Sequence, residues 1–97
     1  MQLSVKLRDG FSNDSVTIYV DGTEVYRKSG VTTDLSTSTA DVFELTITDT
    51  IVKFEVSVAG GPPKAKYIRI RETPFVEVLM IGGDVEIRAS REEIPML

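Results

Sequence analysis

Asp21-Gly22 separates two β-prone runs, Ser15-Val-Thr-Ile-Tyr-Val20 and Thr23-Glu-Val-Tyr-Arg-Lys28. A two-residue Asp-Gly link between such runs is the strongest short-range signal for a β-hairpin. The type I′ turn that matches strand twist needs positive φ at both central residues, which Asp tolerates and Gly adopts freely. The chain therefore carries an antiparallel strand pair near its start, and the rest must supply sheets for that pair to join.

The same period-two pattern recurs along the sequence. Leu3, Val5 and Leu7 alternate with Ser4, Lys6 and Arg8 in a first strand over Gln2 to Arg8. Val16, Ile18 and Val20 give the second strand an apolar face, and the third, from Thr23 to Lys28, reads as shorter and less regular. Val31 to Ala40 is rich in Ser and Thr and reads as a polar connection, with one twisted edge strand as the alternative. Phe43, Leu45 and Ile47 alternate in Asp41 to Thr48, as do Val52, Phe54, Val56 and Val58 in Thr50 to Val58. Gly60-Gly-Pro-Pro63 cannot belong to a central strand and reads as a turn. Lys64 to Arg71 places Ile68 and Ile70 on one face, with Tyr67, Arg69 and Arg71 on the other. Phe75 to Ile81 is nearly continuous in apolar character, as expected of a strand covered on both faces. A final strand spans Val85 to Ala89. Strands at intervals of about 8 to 12 residues, with no segment of helical period, specify an all-β fold. The expectation is one domain over residues 1–97, an antiparallel β-sandwich of seven or eight short strands, Ig-like or jelly-roll-like, with sequential antiparallel pairing.

Composition excludes much chemistry. The 97 residues contain neither cysteine nor histidine. Disulfides, thiolate metal sites, cysteine nucleophiles, the Ser-His-Asp triad and nearly all zinc chemistry are thereby removed. A net charge of −4 argues against a general nucleic-acid or anionic-membrane binder, because such partners are held by clustered Lys and Arg. No basic segment followed by a long apolar stretch marks a secretion signal, so a cytoplasmic location is the expectation.

The segment Val16-Thr-Ile-Tyr-Val-Asp-Gly-Thr-Glu-Val-Tyr-Arg-Lys-Ser-Gly-Val-Thr-Thr-Asp-Leu35 resembles a group of short, functionally uncharacterised bacterial all-β proteins. Their pattern is like V-x-V-D-G-x-E-V-Y-R-x-x-G-V-T-T. The likeness extends more loosely through Val52-Lys-Phe-Glu-Val-Ser-Val58 to the Arg-rich C-terminal strand. It implies a compact sandwich and no particular activity.

Four groups of residues invite a functional reading. Asp9, Asn13 and Asp14 share an oxygen-rich loop of the kind that binds calcium at sandwich ends. Turn chemistry accounts for the same residues, and the spacing lacks the alternation of a dedicated calcium loop, so no metal is expected. Tyr19, Tyr26 and Tyr67 are rings on which a sugar can stack, but they are also ordinary strand residues. Lys64, Lys66, Arg69 and Arg71 concentrate positive charge that suits a phosphate, a carboxylated sugar or an acidic partner. Cross-strand pairing with Glu44, Glu55, Glu77 and Glu86 is the ordinary fate of such cations, and a partner surface gains weight if Arg69 and Arg71 face the same way as Tyr67. Finally, Ile94, Met96 and Leu97 are apolar for a chain end and must pack either on their own sandwich or on another chain.

These readings converge on a non-catalytic binding or assembly module with no cofactor and no metal. Its ligand or partner surface is drawn from Tyr67, Arg69, Arg71, Ile94, Met96 and Leu97. The expected partner is a second copy in a homo-oligomer or another protein, with neither nucleic acid nor membrane. The alternatives are a calcium-dependent carbohydrate-binding module and a hydrolase using two carboxylates, for which no paired motif is present.

Overall fold

The structure, a computed structural model, describes residues 1–92. Ile94, Met96 and Leu97 lie outside the described residues. Eight strands and no helix are present among those residues: β1 Gln2–Leu7, β2 Asp14–Val20, β3 Thr23–Val31, β4 Asp41–Thr46, β5 Ile51–Val58, β6 Lys64–Arg69, β7 Phe75–Ile81 and β8 Asp84–Ser90. No helix is long and apolar enough to cross a membrane. The strands form two four-stranded sheets, ordered β4-β1-β7-β8 and β3-β2-β5-β6. The inward rows expected from alternation close on one another. Leu3, Val5 and Leu7 of β1, with Val76 and Val78 of β7, meet Val16 and Ile18 of β2, Phe54 and Val56 of β5 and Ile68 of β6.

Asp21 and Gly22 both have positive φ, at 50° and 82°, as the Asp-Gly hairpin requires. The turn is also tied to the neighbouring strand, since the Asp21 N–H donates to the Lys53 carbonyl at 2.9 Å and the Lys53 N–H to Asp21 Oδ1 at 2.8 Å. β7 is buried at four consecutive residues, Val76 to Leu79, because it lies between β1 and β8 in its sheet and both of its faces are covered.

Three expectations are corrected. β1 and β7 pair in parallel, Ser4 opposite Phe75 through Leu7 opposite Val78. The chain crosses twice to the second sheet and back between them, so the returning strand runs in the same direction as the first. β3 is the longest strand, at nine residues, although two register shifts against β2 account for its irregular pattern. Residues 32–40 form the polar connection expected, a pinned loop with a bridge between Asp34 and Thr39, and the alternative of an edge strand is not realised. Its Thr33 hydroxyl donates to the Arg8 carbonyl at 2.6 Å and accepts from the Phe11 N–H at 3.0 Å. β6 ends at Arg69, and Arg71 lies in the following turn, where the Thr73 N–H donates to the Arg69 carbonyl at 2.8 Å.

The two open sides of the sandwich differ. Along the β3–β4 side, Tyr26 stacks on Phe43 with ring centroids 4.5 Å apart, and the Tyr26 hydroxyl donates to Asp41 Oδ2 at 2.7 Å. Lys28 Nζ lies 3.5 Å from the same carboxylate. Burial pushes the Tyr26 phenol well above its usual pKa, and the Asp41 hydrogen bond and charge add to the effect. Burial acts upward on the Asp41 carboxyl too, but hydrogen bonds from Tyr26 and the Val42 N–H, with Lys28, outweigh it and hold Asp41 below its usual value. A depressed carboxyl stabilises the fold above its unfolded pKa and loses that contribution as pH falls. A raised phenol stabilises below its unfolded pKa and loses it as pH climbs. Wild type should thus exceed Tyr26→Phe by about 1–2 kcal/mol between roughly pH 4 and pH 10, the difference shrinking at both ends. Urea melts across that range check it.

Candidate functional site: the edge strand β6 and the open side of the sandwich

The β6–β8 side is built differently, with the two strands close to one another across the sheets and a cleft between their side chains. β6 closes its sheet at one end of the order, paired among the described residues with β5 alone, from Val56 opposite Lys64 to Ile51 opposite Arg69. Its even-numbered residues share the inward face, but only the far half reaches the core: Ile68 and Ile70 are buried, whereas Lys64 and Lys66 are exposed. A cleft of about 410 Å³ opens there between the sheets, lined by Lys64, Lys66, Asp84, Val85, Glu86 and Ile87. It adjoins a second hollow of about 550 Å³ bounded by Pro62, Pro63, Met80 and Gly83.

On the outer side of the strand, Tyr67 is 70% exposed. Arg69 is exposed beside it, and Arg71 follows from the turn. Alternation puts Arg69 on the side of Tyr67, while Arg71 belongs to the turn and no longer to the strand. Arg69 and Arg71 border a shallow notch of about 280 Å³ with Thr50, Ile51 and Glu72.

The expected cross-strand ion pairing does not occur at this edge. Glu55 lies 3.9 Å from Lys53 on its own strand, Glu77 contacts Arg8 at 2.6 Å, and Glu86 contacts Arg88 at 2.8 Å. Three of the four carboxylates expected to neutralise β6 are thus engaged elsewhere, and Glu44 lies on β4 in the other sheet. Lys64, Lys66 and Arg71 form no ion pair among the described residues, and Arg69 has only Glu72 at 4.0 Å. In a chain with 15 acidic and 11 basic residues, a run of unpaired cations on one free edge is a local excess that folding produces.

The remaining candidates fall apart as sites. Tyr26 is committed to Phe43 and Asp41, so the three tyrosines do not share a surface. Tyr19 lies instead on the outer face of its sheet, in a depression of about 620 Å³ with Thr17, Arg27, Glu55 and Ser57, where Arg27 is held by Glu24 at 2.6 Å. In the β1–β2 loop Asp14 Oδ2 accepts the Ser12 N–H at 2.9 Å, and the Asn13 N–H donates to Thr32 Oγ1 at 3.0 Å, which is turn chemistry. No group of three acidic side chains placed to hold a metal occurs among the described residues.

The feature that alternation did not reveal is a buried ion pair. Arg8, just after β1, and Glu77 on β7 face away from the core, yet their side chains are only 7% and 9% exposed. Arg8 Nε also donates to the Ser38 carbonyl at 3.0 Å, fastening the 32–40 loop over that face. Lys6, opposite Glu77 in the parallel register, is buried alongside. Comparison with models of protein families, with curated proteins and with solved structures finds no match to this chain.

Proposed function

We propose that the chain is a non-catalytic binding module that holds an anionic partner along β6 and the turn after it. The observation that carries this reading is the cation run Lys64, Lys66 and Arg71, without an ion pair among the described residues, with Arg69 and exposed Tyr67 between, on a sheet edge beside an open cleft. Desolvated contacts between guanidinium and carboxylate or sulfate are shorter and stronger than neutral ones, and Tyr adds a rigid apolar face. The fixed geometry of a strand removes much of the ordering cost that flexible surface lysines otherwise carry. The partner is a macromolecule met at a surface, since the cleft is open along its length and does not enclose a small ligand.

The test uses poly-L-glutamate and a heparin hexasaccharide as probes. Lys66→Glu/Arg69→Glu/Arg71→Glu should weaken binding of the responding probe by about tenfold or more. Arg27→Glu/Lys28→Glu/Arg88→Glu, of identical net charge, should weaken it by only about twofold to threefold through the general field. Equal losses in both variants, or no binding of either probe by wild type, would contradict the proposal.

A further inference from the structure

From the backbone of β6 we infer that the partner is an acidic, extended polypeptide segment that adds to this edge as a fifth strand of the β3-β2-β5-β6 sheet. This rests on the reading of β6 as the binding surface and goes further by naming the partner and its mode of attachment. The Ile70 N–H donates to the Thr50 carbonyl at 3.0 Å. In an antiparallel ladder the backbone groups alternate sides, so residues of the same parity as Ile70 point to β5, and Ala65, Tyr67 and Arg69 turn their N–H groups to the free edge. The Arg69 carbonyl, which the same rule sends outward, accepts the Thr73 N–H instead, and this marks where the free edge ends. Between Lys64 and that point the edge spans about 20 Å, room for a segment of about six residues.

An incoming strand would alternate its side chains between two environments. One set would enter the cleft beside Lys64 and Lys66 and over Val85 and Ile87. The other set would lie beside Tyr67 and Arg69 on the outer face. The outer environment is cationic, whereas the cleft sets Lys64 and Lys66 against Asp84 and Glu86 over an apolar floor of Val85 and Ile87, which selects a segment with acidic residues on one side and apolar residues on the other. The same charges disfavour a second copy, because two β6 edges brought together would oppose Lys64, Lys66 and Arg69 to their own kind. Asp84 and Glu86, across the cleft, repel a carboxylate there, so the apolar residues of the segment face the cleft and its acidic residues face Arg69.

The probe is a capped octapeptide of alternating Glu and Val, with the heparin hexasaccharide as an anion that cannot add as a strand. On wild-type protein the peptide should slow exchange of the Ala65 and Tyr67 amide protons by about tenfold or more, since they pass from solvent into a ladder. Ala65→Pro removes one outward donor while leaving every charge and the bonds to β5 in place. It should weaken the peptide by about fivefold or more and leave any heparin binding unchanged. Peptide binding that depends on the cations but leaves both amides unprotected would overturn strand addition and keep the binding surface. Binding of heparin without the peptide would replace the polypeptide by an anionic glycan. Binding of neither would remove both readings.

Discussion

Gly10→Ala should lower the melting temperature by about 15 °C or more, equivalent to about 3 kcal/mol or greater for a domain of this size. Gly10 has φ near +90°, and a Cβ there would overlap the Met80 carbonyl oxygen and come within 2.7 Å of Met80 Cβ. Neither side can yield easily. The Met80 N–H is hydrogen-bonded to the Asp9 carbonyl at 2.9 Å, and β7 lies between β1 and β8. Gly22→Ala is the matched control, because Gly22 also has positive φ but nothing lies within 4 Å of its added Cβ. It should cost only about 1 kcal/mol of backbone strain. Equal losses at the two sites, read from thermal melts, would show that the close approach of the β1–β2 loop to β7 is absent.

Glu77→Ala should cost about 3–5 kcal/mol, because it leaves the buried Arg8 guanidinium without its carboxylate. Arg8→Met combined with Glu77→Leu should recover much of that loss, since burying hydrocarbon is cheaper than burying an uncompensated charge. The two outcomes also differ at the surface. Losing Arg8 releases the Ser38 carbonyl, so amide exchange across residues 32–40 should accelerate in the double variant even where global stability returns. Chemical denaturation with residue-resolved exchange separates these effects. A Glu77→Ala variant as stable as wild type would show that the pair is solvated.

Both residues illustrate where sequence reasoning stops. Period-two alternation reports which residues face inward, and it located β1, β2, β5 and β7 within a residue or two because each has an unbroken apolar row such as Val52, Phe54 and Val56. It extended β6 to Arg71 because Ile70 is buried and still bonds Thr50, although the strand ends at Arg69. Burial persists beyond the ladder there, and alternation records burial. Strand direction is a non-local property, so nothing in Ser4 to Leu7 or Phe75 to Val78 announces that they pair in parallel. The partnership of Arg8 and Glu77, 69 positions apart, depends on that same pairing. At β6 the charge run, and the alternation that sets Arg69 on the side of Tyr67, were legible in the spacing. The absence of counter-charges was not, because it depends on Glu55, Glu77 and Glu86 having found partners elsewhere in the fold.

The central claim is that β6 and its following turn form the partner surface. The most direct measurement is a residue-by-residue map of amide chemical-shift changes as the Glu-Val octapeptide is titrated into wild-type protein. The account predicts a continuous track of changes along Lys64 to Arg71, spreading across the cleft to Val85 and Ile87 and leaving the sealed side at Tyr26 and Phe43 untouched. Changes centred on the Tyr19 and Arg27 depression or on the Asp9 to Asp14 loop, with β6 silent, would contradict it.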